Sequence, residues 1–230
     1  MARAGGDPAA RAAQAGQADL GRPATLILVR HGRTEDTEQR RVRGGSSAGP
    51  ELSPAGLGEA RRLAEMVGGW PDDAGRPVAV LTSPLLRARQ TAGLVAAALD
   101  LEPMEDEDWA EVSLGDWDGR SYAEIADGWP AEYRAWRAST AVAPPHGESL
   151  DDVAERVGTA CDRVIARYPG RTVLVVTHTA PIRTVLRQAL DAGPASLWRL
   201  RVDPVRLSVL RFWADGGCEV ATVNSPARPR

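Results

Sequence analysis

Three short, nearly unbroken apolar runs constrain the fold of this 230-residue chain more than any other feature. They are Ala24–Val29 (ATLILV), Val78–Leu81 and Arg171–Val176 (RTVLVV). Runs of this length without polar alternation read as strands covered on both faces, as in parallel sheets. Helix patterns separate them. Ser53–Pro54 supplies an N-cap and a first-turn proline ahead of a stripe of Leu57, Ala60, Ala64 and Val67. Ser83–Pro84 reads the same way, opening a helix to about Leu99. Ser121 and Glu124 have capping-box spacing, a short helix is expected near Glu132–Ser139, and Ser149 caps one bearing Leu150, Val153, Val157 and Ile165. A last helix is expected over Ala180–Leu190. Weaker strand signals at Val205–Phe212 and Glu219–Val223 flank the hairpin turn Asp215–Gly216–Gly217. The alternation predicts an α/β fold: a three-layer α/β/α sandwich around a mostly parallel sheet with an antiparallel edge strand.

The length suits one domain. Residues 1–22 and 225–230 hold few large apolar side chains and are expected to be disordered tails around a domain at 23–224. A net charge of −3 argues against a dedicated nucleic-acid or anionic-membrane binder. The chain contains no Lys, which excludes Schiff-base chemistry and a Walker A lysine. Cys161 and Cys218 lie far apart with no Cys or His beside them, so no metal site is expected and two reduced thiols are. The N-terminal segment lacks the apolar stretch of a signal peptide, and no run approaches a membrane span, so a cytoplasmic protein is expected.

In open α/β sheets, sites form beyond the carboxyl ends of the strands. The first run ends in Arg30–His31–Gly32–Arg33–Thr34. The second ends in Thr82–Ser83–Pro84 with Arg87 just beyond, and the third in Thr177–His178–Thr179. Two of the three His residues therefore fall at strand ends that can share one crevice. An Arg-His-Gly tripeptide is expected by chance only about 0.04 times in this composition.

The succession LVRHGRT, TSPLLRARQTA, a Glu ahead of LGDWDG, HGESLDDV and VVTHTAPIR resembles the histidine phosphatase (phosphoglycerate mutase-like) superfamily. The resemblance covers roughly residues 24–224. PPHGES, TAPIR and LDAGPASLWRLRVDPVRLSVL look most like its α-ribazole phosphatase branch, and like the acid phosphatase half of proteins fused to a ribonuclease H domain. The segment before residue 24 is too short for a ribonuclease H, so no nuclease activity is expected.

The resemblance implies a metal-independent phosphomonoesterase without cofactor, hydrolysing a small phosphate ester through a phosphohistidine. Phosphoryl transfer requires a neutralised dianion, a nucleophile in line and an acid for the leaving group. Arg30 and Arg87 can fork onto phosphate oxygens, although Arg87 has a near neighbour in Arg89 and can also be read as a solvated helix residue. His31 is the expected nucleophile, and His178, charged or donating, the expected partner of the equatorial oxygens. Gly32 permits a tight turn and close approach, and Thr34 and Thr179 add hydroxyl donors. Glu111 stands at the family's acid/base position, where Trp109, Val112 and Leu114 would raise its pKa by desolvation. Asp108 and Asp116 are alternatives by spacing alone.

His146 reads as structural, standing where relatives commonly carry Gly. Thr37 replaces a frequent Asn, Thr179 a usual Gly, and Arg43–Gly44 a common Gln-Gly, which can bring another Arg to the substrate. Trp109, Trp117, Trp129 and Trp136 either stack on a sugar or base-like leaving group or pack a small helical cap. Hydrolysis is favoured over a phosphoglycerate mutase reaction because the Glu111–Gly147 segment is short and lacks Lys- and Tyr-rich substrate segments. A non-catalytic phospholigand-binding protein is the third reading. α-Ribazole 5′-phosphate or a sugar phosphate is the implied ester, and a homodimer is compatible with the sequence.

Overall fold

The computed structural model describes residues 21–45, 48–70 and 75–226. Six strands form one sheet in the order β3-β2-β4-β1-β5-β6. β1 (Ala24–Arg30), β2 (Ala79–Thr82), β3 (Pro103–Glu105) and β4 (Thr172–Thr177) run parallel. β5 (Arg206–Phe212) and β6 (Cys218–Pro226) complete the sheet as an antiparallel hairpin. The helices are α1 (Glu35–Glu38), α2 (Pro54–Gly68), α3 (Leu86–Leu99), α4 (Tyr122–Gly128), α5 (Pro130–Ala138), α6 (Leu150–Arg167) and α7 (Thr179–Ala189).

The apolar runs divide their side chains between two cores with the period of a strand. Leu26, Leu28, Val173 and Val175 face α6 and α7, while Ile27, Val29, Leu174 and Val176 face α2 and α3. Both sheet faces are thereby covered, which is why these strands tolerate no polar alternation. The expected three-layer architecture is present, and its antiparallel edge comprises two strands.

Ser53, Ser121 and Ser149 cap their helices, the last two through full capping boxes. Ser83 does not. The helix begins at Leu86 with no side-chain cap; the Ser83 hydroxyl lies 2.7 Å from His178 Nε2 and accepts the Leu85 N–H just ahead of it. Two short elements lacked a sequence signal: α1, four polar residues capped by Thr34, and the three-residue strand β3. Ser225 and Pro226, expected in a tail, belong to β6. Residues 1–20 and 227–230 of the expected tails lie outside the described residues. Among those described, no helix is long and apolar enough to cross a membrane.

Candidate active site

Strand register assembles the site. Arg30 pairs with Thr177, so the next residues, His31 and His178, emerge side by side at the carboxyl ends of β1 and β4. Thr82 pairs with Val176, which brings Ser83 up to the same edge from β2. The two imidazoles lie 5.0 Å apart between ring centroids and are buried. Behind them the His31–Gly32–Arg33 turn lies against the start of α2. A Cβ at Gly32 would meet the Gly56 carbonyl oxygen at 2.7 Å, so glycine alone lets the two backbones approach.

His31 Nδ1 lies 2.7 Å from the Gly32 carbonyl, and Arg87 Nε donates to His31 Nε2 at 3.2 Å. A ring that accepts at Nε2 must carry its proton on Nδ1, where the carbonyl receives it. Burial, then the charges of Arg87 and Arg30, hold His31 well below the usual imidazole range. The ring is neutral, with the Nε2 lone pair directed at Arg87. His178 Nε2 lies 2.7 Å from Ser83 Oγ, which itself receives the Leu85 N–H. With the Ser83 proton directed to Nε2, the proton of His178 resides on Nδ1, which has no partner. Burial, then Arg87, keeps His178 well below the ordinary value too. Its charged form, one of the two expected states, is therefore disfavoured in the ligand-free protein; the donating form fits.

Arg87 is the buried arginine and Arg89 the surface one, paired with Glu105 at 2.9 Å. Arg87 Nη2 donates to the Arg43 and Gly44 carbonyls, and burial brings the guanidinium down to about 10. Arg30 is held through Nη1 on the Val202 carbonyl at 2.9 Å. Arg30 Nε, Arg87 Nη1 and His178 Nδ1 are buried without partners. The other such side-chain atoms among the described residues are indole nitrogens and hydroxyls. Buried donors are ordinarily satisfied, so these three, two at adjoining strand ends and one in the first turn of α3, mark a place for an anion.

Glu111 reaches the site from the loop after β3. Its carboxylate accepts from the backbone N–H of Thr179 (3.1 Å), Ala180 (3.0 Å) and Val112 (3.0 Å), two of them in the first turn of α7. Its oxygens are thus set among backbone donors; of the apolar neighbours that the sequence suggested, Val112 and Leu114 line the same cleft and Trp109 is buried in the core. Asp108 is tied to Arg163, and exposed Asp116 contacts His146, so neither lines the cleft. The Glu111 loop is clamped by Arg156 of α6, a residue with no sequence signal. Arg156 donates to the Asp108, Ala110 and Glu111 carbonyls and pairs with Glu148 at 2.7 Å. Glu148 in turn accepts the Ser113 N–H, which gives the HGES segment its part in holding the loop.

Arg30, His31, Arg87, Glu111, Thr34 and Thr179 line one cleft of about 370 Å³. His178 is not among the lining residues, and its ring centroid is 5.0 Å from that of His31. Gly32 is corrected as a phosphate ligand: Thr91 takes its N–H and His31 its carbonyl, so it positions the nucleophile candidate. Thr34 Oγ1 accepts the Thr37 N–H as the cap of α1 and lies 3.1 Å from Thr37 Oγ1, with Thr34 in the cleft lining. Arg43 does line the cleft, but pairs with Asp36 (2.9 Å) and Asp118 (3.2 Å). His146 is exposed at φ +57°, the left-handed region that a glycine adopts freely.

The outer wall comes from elsewhere. Trp136, Trp198, Leu197, Tyr122 and Arg183 line it. Of the four tryptophans named from sequence, only Trp136 reaches the cleft; Trp109 and Trp117 pack the core, and Trp129 lies under Arg120. Trp198, 4.6 Å from Trp136 between ring centroids, carried no sequence signal as a wall residue.

The chain is similar to several known proteins. The chain is 44% identical over 204 residues to a bifunctional protein of Mycobacterium tuberculosis (strain ATCC 25618 / H37Rv), covering 89% of this chain. It spans 54% of the length of that relative. It is 31% identical over 203 residues to the adenosylcobalamin/α-ribazole phosphatase of Salmonella typhimurium (strain LT2), covering 88% of this chain and 96% of the relative. The mycobacterial glucosyl-3-phosphoglycerate phosphatase, solved in complex with VO3, superposes with a TM-score of 0.77 at 28% identity, covering 89% of this chain and 100% of that one. A family model, histidine phosphatase superfamily (branch 1), matches residues 26–226. Strand-end imidazoles, paired guanidiniums and family model coincide on the same domain: the chain belongs to branch 1 of the histidine phosphatase superfamily.

Proposed function

We propose that this chain is a phosphomonoesterase that hydrolyses a small-molecule phosphate ester through a phosphohistidine on His31, without a metal. The observation that carries the reading is a neutral His31 with Nδ1–H anchored on a carbonyl, beside three buried, unpartnered donors. Arg30 and Arg87 neutralise the phosphoryl oxygens, His178 Nδ1 donates to them, and those oxygens take over the Arg87 N–H that rests on Nε2 in their absence. Nε2 then attacks phosphorus as the ester P–O bond breaks, and a protonated Glu111 gives its proton to the leaving oxygen. Glu111, now a carboxylate, takes a proton from water whose oxygen displaces Nε2, releasing phosphate and restoring the ring. Among the described residues, no group of three or more His, Cys, Asp or Glu is gathered to hold a metal ion.

Two relatives supply candidate esters. One is named for α-ribazole phosphate and another for a glucosyl phosphoglycerate. Both fit the expectation of α-ribazole 5′-phosphate or a sugar phosphate, and an aromatic wall of Trp136 and Trp198 suits a ring-bearing leaving group. The test is phosphate release against p-nitrophenyl phosphate, α-ribazole 5′-phosphate, 3-phosphoglycerate and sugar phosphates, with His31→Ala alongside. Release that is lost in the variant and indifferent to chelator supports the reading. Interconversion of phosphoglycerates without net release would make the protein a mutase, and tight binding without turnover a binding protein.

A further inference from the structure

Among the arginines that line the cleft, Arg183 is a half-buried one with no carboxylate paired to it among the described residues. Arg41 and Arg43 face carboxylates, and Arg40 is exposed at the mouth. Arg30 and Arg87 match the two charges of a phosphoryl dianion. Arg183 lies one and a half turns into α7, half-buried, with Nε fixed on the Leu200 carbonyl at 2.9 Å. Its two terminal nitrogens have no hydrogen-bond or ion-pair partner among the described residues. A guanidinium fixed by one edge and bare on the other presents a fork of donors suited to a carboxylate or phosphate.

Its surroundings oppose a merely solvated role. Burial lowers its pKa, and the field of Glu111, the general acid candidate, reaches it across the cleft. Tyr122 stands in the same wall, and its phenol is an O–H donor at neutral pH. Arg137 is held over the Trp198 ring at 4.1 Å and adds a second cation to that side. Retaining an unpaired, partly desolvated cation costs stability unless a ligand supplies the counter-charge.

We infer that Arg183, with Tyr122, binds a second anionic group on the leaving group, so that the natural ester is a dianionic phosphate whose alcohol also carries a carboxylate or a further phosphate. This rests on the phosphatase reading above and narrows its substrate class. Arg183 determines specificity and takes no part in the bond-breaking steps.

Matched esters separate the possibilities. 3-Phosphoglycerate and glycerol 3-phosphate differ in the carboxylate; fructose 1,6-bisphosphate and fructose 6-phosphate differ in the second phosphate. The full chain is expected to favour the anion-bearing member of at least one pair by about tenfold or more in kcat/KM, the scale of one charged hydrogen-bonded contact. Arg183→Gln should erase that preference, and Arg183→Lys, which keeps the charge, should retain part of it. The favoured pair says which anion the site takes. No preference in the wild-type protein, or a preference that survives Arg183→Gln, overturns the inference while hydrolysis of p-nitrophenyl phosphate leaves the phosphatase reading standing. Failure to hydrolyse any ester, p-nitrophenyl phosphate included, overturns the phosphatase reading and this inference with it.

Discussion

The floor and the outer wall of the cleft are built on opposite principles. The floor is formed by residues that directly follow paired parallel strands, so sheet hydrogen bonding places His31, His178 and Ser83 to within the tolerance of a β-ladder. Its groups are buried, and each imidazole is held by a short bond from one nitrogen. The wall gathers Tyr122, Trp136, Arg183 and Trp198 from four separate segments, and Tyr122 is 48% exposed. A rigid floor suits chemistry that is the same for every phosphomonoester, and a looser wall suits the part of the substrate that varies. Substitutions in the floor should therefore act on turnover, and those in the wall on substrate choice.

The largest expected effect is at the nucleophile and its acid. His31→Ala should remove turnover, and Glu111→Gln should lower kcat by roughly 10²- to 10⁴-fold for esters of poor leaving groups. The loss should be smaller for p-nitrophenyl phosphate, whose phenolate needs less protonation. Equal losses on both ester types, measured by steady-state kinetics, would remove Glu111 as the acid.

Next comes the loop clamp. Arg156→Ala leaves Glu148 without its partner and frees three carbonyls, which should cost about 3 kcal/mol in urea unfolding. It should lower kcat more than it raises KM, because the displaced group is Glu111. A stability loss with kcat intact would show that the clamp serves the fold alone.

Ser83→Ala should reduce kcat by about tenfold, the scale of one lost hydrogen bond to a working group. Because Ser83 acts through the tautomer of His178, the acid limb of the pH–kcat profile should shift as well. Ser83→Thr, which keeps a hydroxyl, should restore part of both; a kcat loss with an unchanged profile would limit Ser83 to packing. In the wall, Trp198→Ala should change KM severalfold and kcat little, with the ranking of substrates altered. An equal kcat loss for all esters would break the division between floor and wall.

The last effect is on the fold and concerns pH. His31 and His178 are held well below their ordinary values when folded, so between that range and about 6.5 the unfolded chain binds more protons than the native one. Stability is then complete above about pH 6.5 and declines as the pH falls below it. Urea midpoints at pH 7 and pH 5 should show the decline; a flat profile would contradict two neutral, buried imidazoles.

The same contrast explains what was legible in the sequence. Arg30, His31 and His178 could be read because a buried strand announces its own end and the residue after it has little freedom of place. Arg87 was singled out from Arg89 by the register of the resemblance, because a helix of mixed Ala and Arg does not itself reveal which of the two is buried. Ser83 was misread because a Ser-Pro pair after a strand carries the signal of an N-cap, whereas its hydroxyl is captured by a ring 95 residues away in sequence. The capping role of Thr34 was missed because α1, which it caps, is four residues long and has no apolar period. Arg156, Arg183 and Trp198 had no local pattern to distinguish them from other surface residues of their type. Their roles exist only once α6, α7 and the segment before β5 are packed around the cleft.

The claim on which the account turns is that His31 accepts the phosphoryl group. Rapid quenching of the full chain during turnover of p-nitrophenyl phosphate, followed by peptide mass analysis at alkaline pH, tests it directly. The account predicts one acid-labile, alkali-stable phosphoryl group on the peptide containing His31, accumulating further when Glu111→Gln slows its hydrolysis. Phosphate release at full rate from His31→Ala, or a phosphoryl group trapped on another side chain, would contradict it.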